Sequence, residues 1–360
     1  MKRTGNIYEK IIDKNNIYNA IISASKRKMK REKVQYVLNN IYSCVDEIHE
    51  MLKSNKYTSS PYQKMTIMDG VRKKERIIYK PQFYPDQIIH WALMLQIESV
   101  LQKGMYEFCC ASIKNRGILY GTRHIKKIIV QDRKNTKYCL KLDIKKFYPS
   151  INNEILKSKF RKIIKDNETL NLIDKIIDSS EMGVPIGNYT SQWFANFYLQ
   201  DFDHFIKEQL HIKFYVRYMD DMLLFNKNKK ELRKQKDAIV EFLKKEKLTL
   251  KGNWQLFKVD SRPIDFIGYR FYRGYTTLRK SNFLRTKRRI KKVSKKAKLT
   301  LKDATAVTSY YGWLKHCDSY NFIRKYVEPY IDINQCKGVI KNASRKQFKT
   351  AKSIRIRKYN

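Results

Sequence analysis

The sequence predicts an α+β fold in which an antiparallel sheet carries acidic residues and helices back and flank it. Three observations predict it. Phe214-Tyr-Val-Arg-Tyr-Met-Asp-Asp-Met-Leu-Leu-Phe225 reads as an apolar hairpin interrupted by two adjacent acids. Tyr138-Cys-Leu-Lys-Leu-Asp143 reads as a strand ending on a third acid. The first 60 residues and residues 229–248 carry apolar positions at helical spacing.

In chain order, Ile11, Ile12, Ile17, Ile21 and Ile22, then Val37, Leu38, Ile41 and Val45, predict amino-terminal helices without enzymatic residues. Between Val71 and Pro81 the alternation of Arg76-Ile-Ile-Tyr-Lys80 after the polar cluster Arg72-Lys-Lys-Glu75 predicts a strand of a hairpin. A helix is expected from Asp86 through Leu101, then a loop, Ser112-Ile-Lys-Asn-Arg-Gly117. The helix expected to begin near Ser191 carries Phe194, Phe197, Tyr198, Phe202, Phe205 and Ile206 on one stripe, a core face. Gly187, just before it, allows close backbone approach to a ligand. From about Leu284 an acid-free basic run holds Arg285, Lys287, Arg288, Arg289, Lys291, Lys292, Lys295, Lys296 and Lys298. The last two dozen residues are again basic, with Lys337, Lys341, Arg345, Lys346, Lys349, Lys352, Arg355, Arg357 and Lys358, and are expected to fold only against RNA or a partner.

The chemistry rests on carboxylates. Asp is disfavoured in strands and costly to bury as an unpaired charge, so Asp220 and Asp221 belong at the hairpin turn with a cation to neutralise them. Asp143 at a neighbouring strand end completes a set of hard oxygen donors that could hold two divalent ions about 4 Å apart, an arrangement suited to phosphoryl transfer. A lone Asp would read as a turn former; three acids on two apolar strand ends do not.

These residues resemble the palm of a reverse transcriptase, with Asp143 as the first catalytic motif and Tyr218-Met219-Asp220-Asp221 as the signature hairpin. The resemblance spans most of the chain, including Lys73-Lys74-Glu75-Arg76-Ile77-Ile78 as a fingers segment and Asp265-Phe-Ile-Gly-Tyr269 as a primer grip. It implies a right-hand architecture: residues 1–136 as amino-terminal helices and fingers, 137–275 as palm, and 276–360 as a basic helical thumb and tail. It further implies Asp143, Asp220, Asp221 and the Ile144 backbone carbonyl as ligands of two Mg²⁺ ions, for which Mn²⁺ can substitute. Nucleotide contacts fall to Arg76, Tyr148, Ile186, Gly187 and Gln192. Template and primer contacts fall to Arg116, Tyr218, Met219, Gly268, Tyr269 and the run Arg285, Lys287, Arg288, Arg289, Lys291 and Lys292.

Tyr148, five residues after Asp143, matches the aromatic gate that excludes a 2′-hydroxyl. Phe147 competes for that role, and strand alternation would put the two rings on opposite faces. The lysine that would protonate pyrophosphate is Lys251 or Lys258, since Trp254 stands near its expected place. Group II intron and retroviral-type enzymes usually have Gln before the glycine and Pro after the serine of the 183–192 segment. This chain has Ile186 and Gln192. Ile-Gly-x-x-x-Ser-Gln resembles the reverse transcriptases of diversity-generating retroelements. That resemblance implies copying of a template-repeat RNA into cDNA with errors at template adenines, and a small helical oligomeric accessory protein. Another prokaryotic enzyme, of the group II intron, retron or phage-defence kind, is the alternative. A non-catalytic basic RNA-binding scaffold is the alternative of another class.

Composition agrees with a nucleic-acid enzyme, because 77 Lys and Arg against 34 Asp and Glu leave a formal charge of +43. Such a surface calls for a polyanion, here template RNA, the cDNA or primer strand and dNTPs, bound most tightly at low salt. The six cysteines form no Cys-x-x-Cys pair, so neither a zinc finger nor a disulfide framework is indicated. No run of about 18 apolar residues and no apolar signal core occur, which predicts a cytoplasmic chain without a membrane partner.

Overall fold

The computed structural model describes residues 3–69 and 74–356, with the side chains at 69, 74 and 346–356 left aside. Val71, Arg72 and Lys73 of the expected fingers segment lie outside the described residues, as do Arg357 and Lys358 and the side chains of Lys74, Lys346, Lys349, Lys352 and Arg355. The chain forms two compact units: residues 1–121 with 138–256, and residues 122–137 with 257–360. The cuts differ from the three segments expected. The first unit takes the fingers and most of the palm together, since their apolar residues share one core.

In the first unit, four helices open the chain: α1 (Tyr8–Ile12), α2 (Lys14–Ser25), α3 (Glu32–Asn39) and α4 (Ile41–Lys53). Asp13 caps α2 by accepting the Asn16 amide at 3.0 Å, which satisfies a donor that the helix start leaves open. The α2 face Ile17, Ala20, Ile21 and Ala24 is buried, and α2 packs on α5 (Ile88–Gln102). A ribbon of β1 (Gln63–Asp69) and β2 (Lys74–Lys80) pairs antiparallel, with Thr66 opposite Ile77, as the alternation at 76–80 predicts. A turn at Phe83–Gln87 leads into α5, and α6 (Ile118–Gln131), after the loop that contains Arg116, passes into the second unit from Thr122 onward.

The sheet that positions the acids has β3 (Tyr138–Asp143) as a strand paired with β5 (Asp221–Asn226), which pairs in turn with β4 (Phe214–Tyr218). Its centre is dry, with Leu140, Leu142, Val216, Leu223 and Leu224 all fully buried. Behind it lie α7 (Phe147–Ser150), α8 (Asn153–Ile163), α9 (Asn167–Asp178), α10 (Tyr189–Tyr198), α11 (Gln200–His204) and α12 (Lys229–Lys245). The helix expected from Ser191 begins at Tyr189, two residues earlier, and Asn188 stands at its cap position. The expected stripe is broken after Tyr198: Phe194, Phe197 and Tyr198 on α10, Phe202 on α11 and Ile206 are buried, while Phe205 is half-buried. The first unit ends within a short strand, β6 (Gln255–Lys258).

The second unit holds a three-stranded sheet, β7 (Ile264–Phe266), β8 (Tyr269–Phe271) and β9 (Thr276–Leu278), and helices α13 (Lys280–Ser294), α14 (Leu301–Leu314), α15 (Tyr320–Tyr326) and α16 (Ile333–Ile356). The tail expected to await a partner is helical to Ile356. Its Lys, Arg, Gln and Ala are good helix formers, and the amino-terminal part of α16 is anchored by Cys336 in a small core with Val293, Ala304 and Val307. Among the described residues no helix is long and apolar enough to cross a membrane.

Candidate active site

The site grows from one register. In the β3–β5 ladder Asp143 stands opposite Asp221, and in the β4–β5 ladder Tyr218 stands opposite the same Asp221. Met219 and Asp220 are thus left to make the turn, and Met219 turns the chain in the left-handed region at φ 54°. The Ile144 amide donates to the Asp220 carbonyl at 3.3 Å, tying the turn to the end of β3. A segment after α12 runs alongside, with the Lys145 amide on the Thr249 carbonyl and the Lys251 amide on the Asp143 carbonyl, both at 2.8 Å. That pairing brings the Lys251 ammonium to 2.5 Å from the Asp143 carboxylate.

The acids crowd one another. Burial, and then the charge of Asp143, push the Asp220 carboxyl up to about 6. Cations gather in response: Lys251 sits on Asp143, and the Lys141 ammonium lies 3.9 Å from Asp221. Among the described residues no three acidic, histidine or cysteine side chains already close around one point. The donor chemistry nonetheless fits a hard divalent ion, because three carboxylates lie at adjoining strand ends and like-charge crowding at Asp220 is relieved by a cation. The Ile144 peptide adjoins them, its side chain fully buried.

Tyr148 stands beside this cluster. Burial, and then Asp220, push its phenol up to about 12, while the exposed Arg76 acts in the opposite direction. The rings of Phe147 and Tyr148 do not take opposite faces of a strand, since their centroids lie 5.7 Å apart. Lys146 adopts a left-handed conformation and 147–150 form a helical turn, which buries Phe147 in the core and leaves Tyr148 half-buried. The Tyr148 carbonyl accepts from the Val184 amide at 3.1 Å, which fixes the ring's backbone against the 183–184 loop.

Gly187 does permit close approach, but its neighbour is protein. At φ 126° a Cβ there would lie 2.7 Å from both Ile78 Cγ2 and the Tyr79 carbonyl, while the Tyr79 amide donates to the Ile186 carbonyl at 2.8 Å. Gly187 thus joins β2 to the segment before α10. Gly187→Ala is expected to cost about 1–3 kcal/mol, measured by urea denaturation, because the strained φ and the backbone clash add. Ile186 is half-buried at this contact and Gln192 is exposed on α10.

Other expected contacts fall elsewhere. Arg116 donates to the Tyr106 carbonyl at 2.6 Å and so holds its own loop. Tyr218 is half-buried and the Met219 side chain is buried. The aromatic residues of the expected primer grip are core: Phe266, Tyr269 and Phe271 are buried, the Tyr269 hydroxyl donates to the Trp313 carbonyl at 3.1 Å, and Gly268 at φ 88° lies against the Trp313 ring. Tyr272, the other ring flanking the turn, is half-buried and stacks on Tyr275, so only the rings within the strands are committed to the core. On α13, Arg285, Arg288, Lys291 and Lys292 are exposed, Arg289 is half-buried, and the Lys287 ammonium sits 4.0 Å from the Tyr326 ring centre.

A buried network behind the turn escaped the sequence reading. Arg217 and Asp203 are both fully buried and paired; Arg217 Nε donates to Asp203 Oδ1 at 2.8 Å, and the Tyr215 hydroxyl donates to the same oxygen at 2.8 Å. Arg217 Nη1 also reaches Asn196 Oδ1 at 3.0 Å and the Met219 carbonyl at 3.3 Å. The available signal was an arginine inside an apolar strand, which demands a buried counter-ion.

Residues 71–271 match the family described as Reverse transcriptase (RNA-dependent DNA polymerase). The chain belongs to the reverse transcriptase family. It is 30% identical over 238 residues to the Retron Ec73 reverse transcriptase of Escherichia coli, an alignment spanning 61% of this chain and 72% of that protein. It is 26% identical over 171 residues to the Retron Se72 reverse transcriptase of Salmonella heidelberg (strain 579083-10), covering 47% of this chain and 42% of that one. Among solved structures, apo telomerase from Candida tropicalis, truncated from its C-terminal domain, aligns with a TM-score of 0.46 at 15% identity, over 64% of this chain and 58% of that chain. A reverse transcriptase is an RNA-directed DNA polymerase that works with divalent ions, and its binding partners are template nucleic acid and nucleotides.

Proposed function

We propose that this chain is a cytoplasmic reverse transcriptase of the retron kind, which copies RNA into DNA with Mg²⁺, for which Mn²⁺ can substitute. The observation that carries the enzymatic reading is the pairing of Asp143 with Asp221 beside Asp220. The retron reading is supported by the 30% identity to the Retron Ec73 enzyme across most of its length. When bound, the ions supply activation of a primer 3′-hydroxyl and neutralisation of the departing pyrophosphate. Asp143, Asp220, Asp221 and the Ile144 carbonyl are the residues that would hold them. Lys251, already against Asp143, replaces the earlier choice between Lys251 and Lys258 as the proton donor to the leaving oxygens. Arg76 takes the triphosphate through its forked guanidinium. Primer extension by purified protein on RNA with Mg²⁺ and dNTPs tests the reading, and no incorporation under any salt condition would reject it.

In this reading Tyr148 is the sugar gate. Tyr148→Ala is expected to raise ribonucleotide incorporation relative to deoxyribonucleotide about 10- to 100-fold, read by competing the two substrates in single-nucleotide extension. An unchanged ratio would remove Tyr148 from that role.

One observation favours a second reading, a diversity-generating retroelement enzyme with a helical accessory partner. Ile186 and Gln192 stand where other reverse transcriptases usually have Gln and Pro. An apolar branched side chain in place of an amide loosens polar selection of the incoming base. On this reading cDNA carries frequent errors at template adenines and Ile186→Gln lowers them, measured by sequencing products from an adenine-rich template. An error spectrum without adenine bias, or one that Ile186→Gln leaves unchanged, excludes this role for Ile186.

A further inference from the structure

The segment that brings Lys251 to Asp143 has a weak hold of its own. It pairs with the end of β3 through the Lys145 amide on the Thr249 carbonyl and the Lys251 amide on the Asp143 carbonyl, around one bridge between Ile144 and Leu250. A ladder this short does not fix its own register, and a slip of one residue turns every side chain to the opposite face. Lys251 would then leave Asp143. The register has to be set where the segment begins.

It begins at Glu246, on which α12 ends. Lys159, from α8, is 4% exposed, a depth that an ammonium tolerates only with partners. Its Nζ donates to Asp201 Oδ2 at 2.6 Å and to Glu246 Oε1 at 3.0 Å. Asp201 is open to solvent, whereas the Glu246 side chain is 15% exposed. The Tyr198 hydroxyl, from α10, donates to the Glu246 carbonyl at 2.6 Å, so Glu246 is clamped by side chain and backbone together. Lys247 then turns the chain in the left-handed region at φ 55°, and the Leu248 amide closes the helix end on the Leu243 carbonyl at 2.8 Å. Lys251 follows three residues later. Stability is a weak reason for such a clamp, because a buried ion pair gains little over apolar side chains of the same volume. Position is a stronger one: directional bonds fix a helix end that apolar contact alone would let slide.

We propose that Lys159 is a positioning residue for nucleotide addition, which holds Glu246 and thereby sets the register that keeps the Lys251 ammonium at Asp143. The inference rests on the reading of Lys251 as proton donor. In that step the bond from the α-phosphorus to the bridging oxygen breaks, the oxygen keeps the electron pair, and the proton passes to it from Lys251 Nζ. Lys159 transfers nothing.

The test is single-turnover extension by one nucleotide with the full chain, Mg²⁺ and saturating primer–template, comparing Lys159→Met, Lys251→Gln and the double variant. Lys251→Gln is expected to lower kcat about 100-fold and Lys159→Met about 10-fold, each with dNTP KM within about twofold of the parent. The double variant should be no slower than Lys251→Gln alone, within about twofold, because Lys159 has no other route to the reaction. Glu246→Gln, whose amide oxygen still accepts from Lys159, should keep kcat within about threefold. Parent kcat per active site in Lys159→Met, beside an impaired Lys251→Gln, overturns the proposal and leaves the donor reading standing; a merely structural lysine would give this result with a lowered melting temperature. Losses that multiply in the double variant also overturn it. Parent kcat in Lys251→Gln overturns the donor reading and the route through it. Should Lys159→Met fail to fold, Glu246→Leu takes its place in the same comparison, with the same outcomes deciding.

Discussion

Asp220→Asn is expected to abolish RNA-directed DNA synthesis, by about 10³-fold or more, without unfolding the protein. The loss follows from removing one of three acids that would hold divalent ions at the reacting phosphate, a charge contribution of several kcal/mol. Retention of the fold follows from the sign of the carboxyl's shift. Burial and Asp143 raise the Asp220 carboxyl to about 6, above the range it has in the unfolded chain. Between those values the folded state binds more protons than the unfolded one, so stability falls as pH rises through that window and stays lowered above it. An amide carries no charge to desolvate and no repulsion toward Asp143. In EDTA at pH 7.5 the variant should therefore melt at or above the parent temperature, and its melting should lose the pH dependence between about 4 and 6. Added Mg²⁺ should raise the melting temperature of the parent more than that of the variant. Retention of a tenth or more of the activity would sink the metal-holding role of Asp220.

The hairpin and its acids were legible in the sequence because Asp conflicts with everything around it. Apolar and β-branched neighbours specify strands, two adjacent carboxylates specify their end, and only a cation reconciles the two demands. The amino-terminal helices and the aromatic stripe of α10 were legible for a similar reason, since period 3.6 leaves few alternatives. Glycines were harder. Positive φ at Gly187 and Gly268 can be anticipated, but whether backbone, ring or ligand comes close depends on residues far away in sequence, here Tyr79 and Trp313. Primer contact and core packing could not be told apart for Tyr269 for the same reason: a three-residue strand gives no alternation from which to tell core from rim. Lys251 could not be separated from Lys258 because pairing of 249–251 beside Asp143 is a tertiary fact that no local pattern encodes. The Arg217–Asp203 pair lies between these cases, since each residue interrupts an apolar run but nothing local names the partner.

That pair yields the largest expected effect on stability. Arg217→Met is expected to destabilise the chain by about 3–5 kcal/mol, because it leaves the Asp203 carboxylate fully buried with only the Tyr215 hydroxyl among its observed partners. Asp203→Asn should cost less, since an amide oxygen can still accept from Arg217 and Tyr215, but the arginine's charge then lacks its counter-ion. Arg217→Met combined with Asp203→Leu should recover most of the loss, because apolar residues of similar volume replace a buried ion pair at little cost. The recovered fold should still be a poor polymerase. Arg217 is the donor to the Met219 carbonyl, so its removal frees the left-handed turn that sets Asp220 apart from Asp221. Urea denaturation reads the first effect. Single-nucleotide extension at saturating RNA and dNTP reads the second, as a fall in kcat at nearly unchanged dNTP KM. A single Arg217→Met variant within about 1 kcal/mol of the parent would mean that the network is bridged in some other way. A stable double variant with full kcat would mean that the turn holds its acids without this strut.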